Sequence, residues 1–327
     1  MAATNGIDSQ AGATKNLKIF AGSINYSLAE QIAKDAGVSL SDVEIIRFPD
    51  NETFVKIADS IRGADVFIVQ SACKQPNEAY MELFLMIDAA RRASADRITA
   101  VIPYYGYARQ DRKDQPRVPI SAALVAKLLE AAGANRVVTF HLHAAQIQGY
   151  FDIPVDHLEF SPVLLAYLRK SLDVSNLTVV SPDTGGVKAA NFYAKELGTG
   201  IGFVAKERCS GSEVKALNFI GDVKGKDAII IDDMTSTCGT LCAAAETLMQ
   251  HGAKSVRAAV THAMLNEKGL ARLKQSPIKE LIVSDSVPMS CDISDYPVTV
   301  LSVSELFAKA ILRIHNNQSI NELFHHS

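Results

Sequence analysis

An apolar segment that ends in two adjacent acidic residues constrains the fold of this chain more than any other feature. Residues 228–231 are apolar, Asp232 and Asp233 follow, and a turn of mostly small residues, 236–240, leads into the helical stretch Leu241–Gln250. This order is typical of a buried parallel strand that delivers its last residues to the N-terminus of a helix. An ordinary strand-to-helix turn is the alternative, but it does not require two adjacent acids.

The chemistry of this segment is that of a receptor for a phosphorylated sugar. In the turn after the strand, backbone N–H groups and hydroxyls can close around an anion at the helix N-terminus. The carboxylates of Asp232 and Asp233 come just before it, where they can accept hydrogen bonds from sugar hydroxyls. The sequence therefore predicts a sugar-phosphate site at this strand end.

The composition limits the classes of protein that this chain can belong to. Its 327 residues suggest two domains, and its net charge of −3 carries no nucleic-acid signature. No apolar run approaches the length of a membrane span, and residues 1–15 are predicted to be a disordered tail rather than a targeting signal. The five cysteines fit neither a disulfide framework nor a zinc site, so we expect reduced thiols in a cytoplasmic protein.

Apolar, β-rich runs alternate with helical stretches along the whole chain. This alternation predicts an α/β fold, in which each mainly parallel sheet is covered by helices and ligands bind at the C-terminal ends of strands. A weak internal similarity between Ile98–Tyr107 and Ala228–Thr240 suggests two similar α/β domains, joined near residues 152–160.

Two segments of the first half carry candidate nucleotide-binding residues. At one strand end, Phe48 offers a ring for stacking, and Asp50 and Glu52 offer acceptors for the exocyclic amine of a purine, although this segment taken alone favours an ordinary turn. After another strand, a cluster of cations with interleaved acids can bind polyphosphate and a metal, and a solvated charged loop is the alternative. That cluster comprises Arg109, Asp111, Arg112, Lys113 and Asp114.

Three further candidates follow predicted strands. His141 and His143, two residues apart at a strand end, are expected to point to the same side, and we expect a functional role for one of them. Asp183 precedes two glycines that allow a close backbone approach. Lys206 and Arg208 enter a loop with Gly and Ser, which could act as a cationic lid, although a surface string of this kind is common.

Taken in order, these segments resemble the class I ribose-phosphate diphosphokinase family, also called PRPP synthases, from about Lys18 to Phe324. The most specific matches are Ala108–Asp111, His143–Asp156, Ser181–Gly186, Lys206–Arg208 and Asp232–Thr240. The resemblance implies transfer of the β,γ-diphosphoryl group of ATP to O1 of ribose 5-phosphate, giving AMP and 5-phosphoribosyl 1-diphosphate. It also implies Mg²⁺ and a homo-oligomer built from dimers, commonly a hexamer, with no nucleic-acid or membrane partner.

The resemblance also implies two phosphoribosyltransferase-type domains. Residues 16–158 would form the ATP-binding domain and residues 159–311 the domain that binds ribose 5-phosphate. The C-terminal segment 312–327 is expected to pack back on the first domain.

Residue roles follow from the same resemblance. The ATP-binding positions are Phe48, Asp50, Glu52, Arg109, Gln110 and Asp114, the first three in a loop that in the family reaches a neighbouring subunit. Ribose 5-phosphate would contact Asp232 and Asp233, and its phosphate the loop of Ser236, Thr237, Cys238, Gly239 and Thr240. Mg²⁺ would bind at His143 and Asp183, and the catalytic residues would be Lys206 and Arg208.

This chain departs from the family pattern at two positions. His141 stands where the family usually has Asp, and Ser236 stands where it usually has Asp. Loss of the first carboxylate weakens a site for a hard cation, because Mg²⁺ prefers oxygen to imidazole.

A catalytically weak regulatory subunit is therefore the alternative function, although it would be expected to lose Lys206 or Arg208. A phosphoribosyltransferase shares the Asp-Asp phosphate loop but would not need the two nucleotide-binding segments.

Overall fold

The computed structural model describes residues 14–207 and 216–323, which divide into two compact units. The N-terminal unit comprises the chain up to Glu159 together with the segment from Ser302 onward, and the C-terminal unit is Phe160–Leu301. The second unit is therefore inserted, in sequence, between two parts of the first.

The core of the N-terminal unit is a parallel sheet in the order β1-β4-β5-β6-β7, beside a separate antiparallel hairpin of β2 and β3. Apart from the two hairpin strands, strands that follow one another in the chain lie side by side in the sheet. The strand order therefore does not reverse. These strands are β1 (Leu17–Ala21), β2 (Val43–Arg47), β3 (Thr53–Ile57), β4 (Asp65–Val69), β5 (Arg97–Ile102), β6 (Arg136–Phe140) and β7 (Val155–Leu158).

Helices cover both faces of this sheet because its strands are apolar on both faces. Leu83 and Leu129 of two helices pack in one core with Ile68 and Ala100 of the sheet. On the other face, the ring of Phe140 lies 5.6 Å from that of Phe307 in the C-terminal helix. The helices are α1 (Tyr26–Asp35), α2 (Pro76–Arg92), α3 (Ser121–Ala132) and, after the C-terminal unit, α8 (Ser304–His315).

The core of the C-terminal unit is a sheet in the order β10-β9-β8-β11-β12-β13-β14, parallel except for the β9–β10 pair. Its strands are β8 (Leu177–Ser181), β9 (Gly200–Glu207), β10 (Ala216–Ile220), β11 (Asp227–Thr235), β12 (Ser255–Ala263), β13 (Ile278–Ser284) and β14 (Val298–Leu301). Its helices are α4 (Ser161–Ser171), α5 (Val187–Leu197), α6 (Gly239–Gln250) and α7 (Glu267–Gln275). The α/β architecture predicted from the sequence is thus confirmed.

The structure places α8 differently from the sequence-based domain limits. We expected the segment that returns to the first domain to begin at residue 312, but it begins at Ser302. The reason is burial, since α8 packs along α1 and its Ser304 Oγ donates to Asp35 Oδ2 at 2.6 Å. The helix closes a face of the first sheet that would otherwise expose apolar side chains.

Within the described residues, no helix combines the length and apolar character needed to cross a membrane. The described cysteines, Cys73, Cys238, Cys242 and Cys291, are all free thiols, whereas Cys209 lies outside the described residues.

Candidate active site

The C-terminal sheet reverses its strand order between β8 and β11. From β8 the chain continues through β9 and β10 on one side, and β11 to β14 lie on the other. Open α/β sheets bind ligands outside the carboxyl ends of the strands at such a switch point. Asp183 follows β8, and Asp232 and Asp233 lie near the end of β11, so predicted site residues meet at this crevice.

Strand β11 is longer than the sequence predicted. The strand was expected to end at Asp232, but it continues to Thr235, because Met234 and Thr235 still pair with His262 and Ala263 of β12. Its pairing with β8 stops earlier, at Ile230 opposite Val180. The two acids therefore lie on a strand segment that has lost its partner on the side of β8.

The carboxylates at this strand end are close enough to influence one another. Burial raises the pKa of Asp232 to about 7, and the neighbouring charges of Asp233 and Asp183 add to the shift. Asp232 Oδ1 also accepts a hydrogen bond from the Asp233 N–H at 2.9 Å. Such a partly buried acidic cluster is stabilised by hydrogen-bond donors or by a cation, which are the groups that a sugar or a metal provides.

The turn after β11 has the backbone shape of an anion-binding nest. Cys238 has left-handed backbone angles, φ 54° and ψ 11°, and the right-handed residues of α6 begin at Gly239. A left-handed residue beside right-handed ones turns successive N–H groups to one concave side. The Cys238 side chain does not cap the helix but lies buried, with Sγ accepting a hydrogen bond from Thr235 Oγ1 at 3.6 Å. This backbone geometry suits the loop of Ser236, Thr237 and Thr240 to anion binding at the start of α6.

Asp183 is held by the turn that the sequence indicated. Its Oδ1 accepts hydrogen bonds from the N–H groups of Gly185 at 2.8 Å and Gly186 at 3.1 Å. Ser181 Oγ donates to the Asp183 carbonyl at 2.6 Å, and a Cβ on Gly186 would lie 2.7 Å from Ser181 Oγ. The close approach therefore explains the glycine, and the fixed turn sets the position of the Asp183 carboxylate.

In the N-terminal unit, the segment after β5 is pinned from two sides. On one side Gln110 contacts α3, where its carbonyl accepts from the Ala122 N–H at 3.2 Å. On the other side, Asp111 is buried and its Oδ2 accepts from Gln146 Nε2 at 3.0 Å, while Tyr150 donates to the Asp111 carbonyl. The exposed side chain of Arg109 is thus carried by a fixed backbone.

Gln146 and Tyr150 were not among the predicted site residues. They lie in the short 3₁₀ segment Ala145–Tyr150 that follows the histidines. The signal that could have found Gln146 is the buried Asp111, since a buried carboxylate requires a partner. That partner is distant in sequence, and only the fold identifies it.

The prediction that His141 and His143 lie on the same side of a strand is wrong. Strand β6 ends at Phe140, and His141 has a positive φ of 43°, which turns the chain. His157 of β7 causes this end, because its Nε2 accepts the Leu142 N–H at 2.8 Å in place of a strand partner. His141 Nδ1 then lies 2.9 Å from Glu159 Oε2, whereas His143 is exposed.

The predicted base-binding residues lie at the tip of the β2–β3 hairpin. The Phe48 N–H donates to the Glu52 carbonyl at 2.8 Å, and Asp50 Oδ1 accepts from the Glu52 N–H at 3.2 Å. All three side chains are exposed, and the Phe48 ring lies 6.0 Å from that of Phe54. The sequence analysis did not predict strand β3, because its alternation of apolar and polar residues begins directly after the polar turn, with no boundary between them.

The remaining predicted residues are distributed as follows. Asp114 is exposed in the loop after Arg109. The backbone of Lys206 belongs to β9, but its side chain and the whole of Arg208 lie outside the described residues. His143 belongs to the N-terminal unit and Asp183 to the C-terminal unit. Where the chain is described, no group of three or more His, Cys, Asp or Glu side chains is arranged to hold a metal ion.

Comparison with known proteins identifies the family. Residues 17–133 match the model for the N-terminal domain of ribose phosphate pyrophosphokinase, and residues 208–325 match the phosphoribosyl synthetase-associated domain. Ribose-phosphate pyrophosphokinases of Caldanaerobacter subterraneus subsp. tengcongensis and Campylobacter jejuni are 50% and 48% identical, over 311 and 310 residues. Each alignment covers 95% of this chain, and it covers 98% and 99% of the respective relative.

A solved structure agrees with these matches. The crystal structure of phosphoribosylpyrophosphate synthetase from Mycobacterium smegmatis has a TM-score of 0.88 and 41% sequence identity, covering 92% of this chain and 99% of that one. This chain is therefore an enzyme that belongs to the ribose-phosphate pyrophosphokinase family.

Proposed function

We propose that this enzyme transfers the diphosphoryl group of ATP to O1 of ribose 5-phosphate, giving 5-phosphoribosyl 1-diphosphate and AMP for nucleotide biosynthesis. The observation that carries the proposal is the anion nest at Cys238–Gly239, next in the chain to the acidic cluster around Asp232. A phosphate receptor preceded in the chain by acceptors for hydroxyl groups matches the two ends of a sugar phosphate.

Ribose 5-phosphate is assigned to the end of β11. The N–H groups at the start of α6 and the hydroxyls of Ser236, Thr237 and Thr240 would bind the 5-phosphate. Asp232 and Asp233 would accept hydrogen bonds from the ring hydroxyls, which would relieve the mutual repulsion of these carboxylates. The loop and the acids thereby orient the sugar as well as bind it.

ATP is assigned to the N-terminal unit. Phe48 at the hairpin tip offers an exposed ring for the adenine, and Asp50 and Glu52 offer acceptors for its amine. Arg109, with Gln110 and Asp114, would contact the phosphates from the segment after β5. The bonds that pin this segment keep Arg109 ready for the nucleotide, which reduces the entropy lost on binding.

The carboxylate of Asp183 suits a magnesium ion, and His143 is assigned the role of metal ligand from the family resemblance alone. Mg²⁺ in proteins is commonly bound through one or two carboxylates together with substrate phosphates. Asp183 belongs to an acidic cluster whose mutual repulsion a cation would relieve. When bound, the ion would neutralise phosphate charge, and the chain's task is to present Asp183 in the turn that Gly185 and Gly186 fix.

The reaction is an in-line displacement at the β-phosphorus. The sugar O1 forms a bond to this phosphorus while losing its proton, and the bond to the α–β bridging oxygen breaks, so AMP leaves with the electron pair. Catalysis is then positioning together with stabilisation of the charge that develops on the phosphate oxygens. We assign that stabilisation to Lys206 and Arg208, whose cationic side chains suit it.

A further part of the proposal concerns assembly and location. The β2–β3 hairpin exposes Ile46, Phe48 and Phe54, each at about 40% of its surface, in keeping with a subunit contact of a homo-oligomer of dimers. The free thiols of Cys73, Cys238, Cys242 and Cys291 and the use of ATP support a cytoplasmic location.

An assay with purified protein, ATP, Mg²⁺ and ribose 5-phosphate tests the proposed activity. We expect AMP formation that depends on the sugar and matches the amount of 5-phosphoribosyl 1-diphosphate produced. A folded protein that binds ribose 5-phosphate without turnover would contradict the proposal and would favour a regulatory subunit. The departures at His141 and Ser236 would then be the first positions to revert to Asp.

A further inference from the structure

Helix α7 touches the phosphate loop at two points one helical turn apart. A Cβ added to Gly269 would lie 2.6 Å from the Ser236 carbonyl oxygen, so the helix backbone and the loop are in direct contact. One turn later, Arg272 Nη1 donates to the Thr237 carbonyl oxygen at 3.1 Å. The guanidinium also lies against Gly239, since a Cβ there would be 3.0 Å from Nη1.

The position of α7 is fixed independently of these contacts. The Met264 N–H, just after β12, donates to the Thr235 carbonyl at 2.8 Å and so joins the start of the helix to the end of β11. Asn266 caps the helix by accepting the Gly269 N–H at 2.9 Å. Leu270 and Leu273 are buried in the core of the C-terminal unit. The helix is therefore a firm support for the loop.

The two contacts involve the carbonyl groups of Ser236 and Thr237, and the direction of each carbonyl fixes the direction of the N–H group that follows it. In a trans peptide, the carbonyl of one residue and the N–H of the next lie in one plane and point in opposite directions. When Arg272 holds the Thr237 carbonyl toward α7, the Cys238 N–H must point away from α7. The contact at Gly269 restricts the Ser236 carbonyl in the same way, and with it the Thr237 N–H.

The loop needs such support because its conformation is unfavourable for a residue with a side chain. Cys238 has a positive φ of 54°, a backbone conformation that is unfavourable for a residue with a Cβ. Rotation of the Thr237–Cys238 peptide would relieve this strain, and it would also turn an N–H away from the anion. The hydrogen bond from Arg272 opposes that rotation.

We propose that Arg272 and Gly269 are positioning residues for the sugar phosphate, which hold the Ser236–Thr240 loop in its anion-binding form. The inference rests on the proposed binding of ribose 5-phosphate to this loop. It adds a second segment, distant in sequence, to the binding site. It assigns to these residues no contact with ATP and no part in the bond-breaking step.

Kinetics of Arg272→Met test the proposal, because methionine retains the length of the side chain but donates no hydrogen bond. We expect the KM for ribose 5-phosphate to rise about tenfold, the value of one hydrogen bond from a charged group. The KM for ATP and kcat should stay within about twofold, since the transition-state contacts are unchanged. Arg272→Lys, which restores a cationic donor, should recover most of the affinity.

Two further variants complete the design. Lys274→Met is the matched control, because Lys274 lies on the same helix and pairs with the exposed Asp295 at 3.4 Å. It should leave every kinetic constant unchanged. Gly269→Ala should raise the same KM by a larger factor than Arg272→Met, because its Cβ meets backbone.

The outcomes separate this inference from the proposed function. An inactive wild-type enzyme would overturn the function itself. An active Arg272→Met variant with an unchanged KM for ribose 5-phosphate would overturn the inference alone. Equal rises in both KM values, or a failure of Arg272→Lys to recover affinity, would show a general structural role and would also overturn it. If Gly269→Ala does not fold, the Arg272 variants still decide.

Discussion

The two sheets of this enzyme are both mainly parallel, yet their strand ends are used differently. In the C-terminal unit the order reverses between β8 and β11, and acidic side chains from both strands gather at the gap. In the N-terminal unit the order β1-β4-β5-β6-β7 never reverses. There, the segments after β5 and β6 are joined to each other by the bond between Asp111 and Gln146.

Similar strand patterns can therefore serve different tasks, depending on whether the strand order reverses. A reversal leaves a crevice that can enclose a small substrate. Where the strand order does not reverse, the loops that follow neighbouring strands are in contact, and they form a firm surface that presents exposed groups such as Arg109. We therefore expect the C-terminal unit to determine affinity for the sugar phosphate and the N-terminal unit to determine affinity for the nucleotide.

The largest expected effect is that of Lys206→Ala. Removal of a cation that acts on the transition state should lower kcat about 100- to 1,000-fold and leave the KM for ATP nearly unchanged. Lys195→Ala, an exposed lysine of the same unit, is the control. Steady-state kinetics with both substrates measure the effect, and a rise in KM that equals the loss in kcat would assign Lys206 to ground-state binding.

Asp233→Ala should weaken the sugar site selectively. Loss of a charged acceptor for the ribose hydroxyls should raise the KM for ribose 5-phosphate about 10- to 100-fold, with little change for ATP. Asp295→Ala, at an exposed carboxylate of the same unit, should behave as wild type. If only the KM for ATP changed, the assignment of the β11 end would be wrong.

Arg109→Met tests the other half of the comparison. It should raise the KM for ATP about tenfold by removal of a guanidinium–phosphate contact, and leave the KM for ribose 5-phosphate within about twofold. Arg62→Met is the matched control in the same unit, where Arg62 donates a hydrogen bond to Ser94 Oγ at 3.2 Å. A change in sugar affinity alone would break the proposed division of labour.

Asp111→Leu should show that the joined loops of the N-terminal unit matter for the nucleotide. Gln146 would lose its carboxylate partner, at a cost of about 1–3 kcal/mol in the free energy of unfolding. The KM for ATP should rise severalfold. Asp111→Asn keeps an acceptor for Gln146 and should lose less on both measurements, and equal losses for the two variants would contradict the role of this bond.

The smallest expected effect is a pH dependence of stability due to His157. Burial lowers the pKa of His157 below its ordinary value of 6.5, so the unfolded chain binds the proton more readily. Stability is therefore complete above the ordinary pKa and is lost as the pH falls from 6.5 toward the lower folded value. His157→Gln keeps an acceptor for Leu142 without titrating, and denaturant unfolding across this window should show a flatter profile. Identical profiles would exclude His157 as the source.

Local patterns were sufficient for much of this enzyme. The apolar run before Asp232, and the small residues after it, predict a strand, a turn and a helix that the structure contains. Such patterns work because a buried strand must be apolar, and because small residues let backbone N–H groups approach an anion at a helix N-terminus. The sequence did not predict the exact end of β11, because Thr235 belongs to this strand through its pairing with Ala263 of β12.

The histidine segment shows where local patterns stop. A period of two predicts that His141 and His143 share one face of a strand, and the apolar run before them supports it. The outcome depends on His157, sixteen residues after His141, whose ring takes the Leu142 N–H and ends the ladder. A side chain from a neighbouring strand therefore outweighed the local preference.

The α/β class, the family and the residue types suited to a sugar phosphate follow from the amino-acid sequence, because each depends on residues that are close together in the chain. The distant groups that complete these elements become visible in the folded chain. It shows that α8 closes a face of the first sheet, that Gln146 satisfies the buried Asp111, and that Arg272 supports the Thr237 carbonyl. The physical reason is that buried apolar faces and polar groups must find partners, and the chain supplies them from wherever the fold brings them near.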